Sequence, residues 1–129
     1  MRPEAEAWWE QARADLRGAE QNLSTGLYYV AAFLSQQAAE KSLKALIVEK
    51  KRVLPPHSHN LADLGKLCGV PNELETALLK LNPDYVNTRY PDAANGIPSR
   101  MFNEEIAREH LAFAKRIVEW VAQQLSISK

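Results

Sequence analysis

The chain has 129 residues with 46% hydrophobic and 25% charged content, which fits one soluble globular domain spanning residues 1–129 and excludes an intrinsically disordered chain. Sixteen Lys and Arg balance sixteen Asp and Glu, so the net charge is zero, which argues against a histone-like polyanion binder while leaving room for a local basic patch. The one cysteine, Cys68, allows neither an internal disulfide nor a cysteine-based zinc site. No run of 18 apolar residues and no N-terminal signal-peptide core is present, so the expected compartment is the cytoplasm and no membrane partner is expected.

The chain divides at its Gly and Pro clusters. From Pro3 to Leu23, Ala5, Trp8, Trp9, Ala12, Leu16, Ala19 and Leu23 recur at the spacing of one helical face, and Ser24-Thr25-Gly26 ends the segment. Asp15 falls on or beside that face and needs a partner if it is buried. Residues Leu27 to Lys51 predict a second long helix, apolar on much of its circumference, as in the central helix of a bundle. Pro55-Pro56-His57-Ser58-His59 cannot continue it. Asn60 then caps a short helix running to Leu67, and Pro71 opens another carrying Leu74, Ala77, Leu78 and Leu81. Residues 82–102 contain three prolines and no convincing periodicity, which predicts an ordered, functional loop. Asn103 caps the last helix, with Glu104 and Glu105 in its first turn and Ile106, His110, Phe113, Ile117, Trp120, Val121 and Leu125 along one face. No stretch reads as a strand, so the fold class is all-α.

The second helix carries Gln36-Gln37-Ala38-Ala39-Glu40-Lys41-Ser42-Leu43-Lys44-Ala45-Leu46. It is followed by His59-Asn60-Leu61-Ala62-Asp63-Leu64 and later by Thr88-Arg89-Tyr90-Pro91-Asp92. With Ala14-Asp15-Leu16 and Gly26-Leu27-Tyr28-Tyr29 upstream, this ordered set resembles the HEPN (higher eukaryotes and prokaryotes nucleotide-binding) domain, in its short stand-alone prokaryotic form. The resemblance implies an up-and-down bundle of four to five helices, commonly a homodimer. It also implies a minimal nucleotidyltransferase as partner, in a toxin–antitoxin-like module. Some branches of the family are metal-independent ribonucleases acting through a late Arg-x(4–6)-His motif; others bind nucleotides or a partner.

Metal-free RNA cleavage needs a base, an acid and a cation at the phosphorane. Arg52 has the right spacing to both His57 and His59, but the set lies in the proline-rich linker, and no late Arg is followed by a His at that interval. Arg52 with His57 is therefore the alternative catalytic pair, and the first expectation is a nucleotide- or RNA-associated protein with no substantial ribonuclease activity. The strongest site candidate is Thr88–Asp92. Arg89 can fork onto a phosphate, Tyr90 offers a ring and a hydroxyl, and Asp92 follows. Alternatively, Arg89 turns inward and pairs with Glu40 or Asp15. Lys41 and Lys44 share a helical face and read either as a solvated, ion-paired stripe or as an anion-binding ridge continuing to Lys50, Lys51 and Arg52. His59 reads as a capping or carboxylate-bound residue, or as a phosphate or partner contact. The pair His57 and His59 lacks a third ligand at metal spacing, and no cofactor is called for. Trp8, Trp9 and Trp120 read as core or dimer interface.

Overall fold

The computed structural model describes residues 1–126, and among these there is no strand. Helix α1 spans Pro3–Ser24 and starts on Pro3, whose missing N–H costs nothing in a first turn. Gly26, at φ +84°, turns the chain into α2, Tyr28–Lys51. The two helices run antiparallel: the Arg2 backbone N–H donates to Glu49 Oε1 at 2.8 Å, tying the start of α1 to the end of α2. Ala5, Ala12 and Ala19 are fully buried along α1, as are Ala31, Ala32, Ala38 and Ala39 along α2, and such small side chains let packed helix backbones approach closely.

Helix α2 is the centre of the bundle. Every residue from Ser42 to Val48 is buried, close to two turns with no solvent face. It packs against α1, against α3 (Leu61–Cys68) and against α8 (Glu104–Gln124), which closes the bundle. Helix α4 (Glu75–Leu81), entered through a 3-10 turn at Asn72–Leu74, packs on α8 and α3. Leu43, Ile47, Leu61, Leu64, Leu81, Ile117 and Val121 are the largest fully buried aliphatic side chains. Trp9 joins this core, and Trp8, Trp120 and Leu125 pack against it. The expected up-and-down bundle is formed by α1, α2, α3, α4 and α8.

The caps follow the expected chemistry. Asn60 Oδ1 accepts from the Asp63 N–H at 3.1 Å, and Asn103 Oδ1 from the Ile106 N–H at 2.9 Å. Gly65 marks the closest contact between α3 and α4, because a Cβ there would fall 2.6 Å from Leu78 Cδ1. Leu78 is 5% exposed, and its Cδ1 must be displaced to admit a methyl group. Gly65→Ala is therefore expected to lose stability. Overpacking of about 1–3 kcal/mol outweighs a gain of about 1 kcal/mol in helix propensity, and a lower urea midpoint at unchanged slope is the readout.

Residues 82–102 differ from expectation. They fold into three one-turn helices: α5 (Asp84–Asn87), α6 (Pro91–Ala94) and α7 (Pro98–Met101). The prolines that suggested a loop each open a helix, Pro83 as the N-cap of α5 and Pro91 and Pro98 in the first turns of α6 and α7. One turn is too short to show a 3.6-residue periodicity, which is why the pattern gives no sign of them.

Candidate functional site

Helix α5 is fixed to the bundle by buried polar contacts. The Asp84 carboxylate, 3% exposed, hydrogen-bonds His110 Nδ1 of α8, and Thr88 Oγ1 donates to the Asp84 carbonyl at 2.6 Å. The edge of the His110 ring meets Phe102, 6.2 Å between centroids. Burial pushes the Asp84 carboxyl above its ordinary value; the hydrogen bond and charge of His110 pull it back only in part.

That anchoring sets the positions of Tyr85 and Arg89. Arg89 Nε donates to the Tyr85 carbonyl at 2.6 Å. Its guanidinium carbon lies 4.3 Å from the centroid of Tyr85, 5.0 Å from that of Tyr90 and 5.2 Å from that of Phe33 on α2. A cation within about 6 Å of three ring centroids is oriented by their quadrupoles. Arg89 is exposed, and no carboxylate among the described residues pairs with it.

Tyr85 also receives His59, whose ring stacks on it at 4.0 Å and 14°. His59 Nδ1 reaches both oxygens of Glu40, at 3.1 and 3.0 Å. A carboxylate partner requires the hydrogen on Nδ1, which leaves Nε2 open on a side chain 45% exposed. Glu40 itself is 3% exposed and also accepts from Lys44 Nζ at 3.1 Å and Gln36 Nε2 at 3.3 Å. A buried acidic hub in α2 thus orients an accessible imidazole on Tyr85, the ring that the accessible Arg89 guanidinium also packs against.

Several expectations are corrected by these contacts. Arg89 does not turn inward to Glu40 or Asp15, because both carboxylates are already taken, Glu40 by His59 and Lys44, Asp15 by Lys41 at 2.7 Å and Gln11 at 2.9 Å. Lys44 is not on a solvated stripe: it is 4% exposed, its ammonium lying 5.4 Å from the Trp8 ring centroid. Lys41 and Lys44 form no free anion-binding ridge, since each spends its charge on a neighbouring carboxylate. Arg52 and His57 are both exposed, Arg52 in the left-handed conformation that ends α2, and no contact joins them to each other or to the Arg89 cluster. Asp92 is exposed in the first turn of α6 and makes no side-chain contact with the cluster.

Of the residues singled out by sequence, the structure gathers Arg89, Tyr90 and His59 around Tyr85. It adds Phe33, which reads as core from its apolar stretch, and the Asp84–His110 anchor. His110 carried a signal, a titratable ring within an apolar helix face that needs a buried partner. Asp84 carried none. Cys68 is no rival nucleophile: burial pushes its thiol up to about 12 against a small opposing pull from Lys51, and Sγ donates to the Leu43 carbonyl at 3.4 Å.

A family model for the HEPN domain matches residues 5–125. Two solved structures share the fold at appreciable identity. TT1696 from Thermus thermophilus is 36% identical with a TM-score of 0.84, covering 95% of this chain and 98% of that one. ST0689, an archaeal HEPN homologue, is 34% identical with a TM-score of 0.77, covering 93% and 96%. No curated protein matches the chain.

Proposed function

The chain belongs to the HEPN domain family, and we propose that it is a nucleotide- or RNA-associated accessory protein whose ligand meets the Arg89 cluster. The observation that carries this reading is an exposed guanidinium, held by three rings and a backbone carbonyl and left without a carboxylate. A cation fixed in place without a carboxylate is suited to receive an anion. The forked N–H groups suit a phosphate, the exposed Tyr90 ring suits a base, and the open Nε2 of His59 adds a third polar contact. In this reading Asp92, on the turn after Tyr90, contributes only at the rim, and neither metal nor cofactor takes part.

The expected partners are a second copy of the chain and a minimal nucleotidyltransferase, in a toxin–antitoxin-like module in the cytoplasm. Among the described residues no helix is long and apolar enough to cross a membrane. Association is supported by Val86, Tyr90, Ile97 and Met101, which the α5–α7 segment leaves 38 to 49% exposed. Sedimentation at micromolar concentration is expected to give twice the chain mass of 14.5 kDa; a species of 14.5 kDa alone refutes the dimer.

Arg89→Ala tests the site. The side chain is exposed and pairs with no buried carboxylate, so the melting temperature should stay within a few degrees of wild type. Binding of ATP or a short oligoribonucleotide, read by calorimetry, should weaken about tenfold to a hundredfold, as expected for losing a charge-assisted contact. Wild-type affinity in the variant removes Arg89 from the site.

A metal-independent endoribonuclease is the second reading. One observation favours it: a buried carboxylate orients His59 on the Tyr85 ring that Arg89 also packs against, which brings an acid–base group and a cation to one ring from distant points in the sequence. Arg52 and His57, exposed and apart from that cluster, lend it no support. With the late Arg-x(4–6)-His absent, the expected result is no RNA cleavage in EDTA. Cleavage that survives His57→Ala and vanishes in His59→Ala would establish the second reading over the first.

A further inference from the structure

The C-terminal end of α2 carries charge that the Arg89 cluster does not use. Lys50, Lys51 and Arg52 follow one another there, and Lys66 stands on α3. All four are exposed, and none has a carboxylate within ion-pair distance among the described residues. The adjacent Glu49 is occupied by the Arg2 backbone N–H. In a chain of zero net charge, three successive unneutralised cations, Lys50, Lys51 and Arg52, stand at the end of α2, while Lys66 borders a separate hollow between α3 and α4.

The end of α2 also has an apolar seat. A hollow of about 300 Å³ opens between α2, α3 and the end of α8, lined by Leu46, Lys50, Lys51, Leu67, Cys68 and Gln124. Leu67 is 46% exposed beside it, and the chain leaving α2 exposes Val53 by 50% and Leu54 by 87%. Lys50 and Lys51 thus flank an open hollow whose walls also carry Leu46 and Leu67.

We propose that this end of α2 and α3 docks an acidic, amphipathic segment of a partner protein, with carboxylates on Lys50, Lys51 and Arg52 and an aliphatic side chain in the hollow against Leu46 and Leu67. The charge defines the occupant as acidic, and the hollow defines it as partly apolar. A nucleic acid fits less well. No aromatic ring lines the hollow for a base to stack on. The surface is separate from the Arg89 cluster: at 1.5 Å per residue, Lys51 lies about 27 Å along α2 from Phe33. The inference therefore stands whether or not the nucleotide reading does.

The test titrates the full chain with a synthetic helical peptide bearing glutamates on one face and leucines on the other, and separately with polyuridylate. Backbone amide shifts are followed by NMR. The peptide is expected to move Leu46, Lys50, Lys51, Arg52 and Leu67, to bind less well as salt rises, and to leave Arg89 and Tyr90 unmoved. Reversing two exposed charges, Lys50→Glu with Lys51→Glu, should weaken it about tenfold or more. The milder pair Lys50→Gln with Lys51→Gln should weaken it less, and circular dichroism verifies both folds. No peptide binding, or binding indifferent to charge reversal, overturns the proposal. So do polyuridylate shifts confined to these residues, which make the surface a nucleic-acid site, and shifts there that grow with protein concentration alone, which make it a self-association face.

Discussion

Glu40→Ala is expected to destabilise the protein by about 3–5 kcal/mol, because it breaks a buried charge pair and leaves the other charge inside. Glu40 and Lys44 are 3% and 4% exposed, and the carboxylate takes hydrogen bonds from Lys44, His59 and Gln36. Without it the ammonium keeps only the face of Trp8 at 5.4 Å, too little to replace a carboxylate and the water it gave up on folding. Glu40→Gln preserves the shape and one acceptor for His59 and should lose less. The double change Glu40→Leu with Lys44→Leu removes both charges and should recover much of the loss, since a buried pair contributes little against a well-packed apolar replacement. Urea unfolding of the three variants separates these outcomes. A Glu40→Ala variant within about 1 kcal/mol of wild type would mean that Lys44 finds water or another partner. The effect would extend to the surface, because His59 loses the bond that fixes its ring on Tyr85.

The parts of this architecture that the sequence announces are those built from repetition. Long apolar stripes give α1, α2 and α8, and Asn60 and Asn103 give the caps of α3 and α8 by local chemistry alone. What lies between residues 82 and 102 is invisible to periodicity, because a helix of one turn presents each face once. There the prolines are the information, and their meaning depends on position: the same residue that ends a helix interior begins a first turn. Charge is the second source of error. Lys44 reads as a surface residue by type, and only the three-dimensional arrangement of Glu40 and Trp8 makes its burial tolerable. Arg89 reads as a residue seeking a carboxylate, whereas Lys41 and Lys44, nearer in the fold, have taken the two on offer. Which partner a charge finds is a tertiary question. The motif identifies Arg89, Tyr90 and His59 as worth examining, but only the fold shows the Tyr85 ring that joins them.

Asp84→Ala is expected to cost about 3 kcal/mol, since it leaves His110 Nδ1 buried without its acceptor and opens a void between α5 and α8. Because α5 carries Tyr85 and leads directly into Arg89, ligand binding should fall as well, although no contact residue has changed. The isosteric Asp84→Asn behaves differently, and the direction follows from burial. Desolvation raises the Asp84 carboxyl above its ordinary value of 3.8, and the hydrogen bond and charge of His110 offset only part of that rise. A carboxyl with a raised folded-state pKa contributes stability that is fully present below the unfolded value and is lost as pH climbs through the folded one. At neutral pH the ionised Asp84 is therefore a liability relative to its own neutral form. Asparagine retains an acceptor for His110 and cannot ionise. The stability of Asp84→Asn relative to wild type should accordingly grow as pH rises from 3.8 through the raised value, then level off. Urea midpoints for both proteins across about pH 3 to 8 measure this difference. If wild type instead gains on the variant as pH rises through that window, attraction to His110 outweighs desolvation, and the pair is held together by its charges rather than in spite of them.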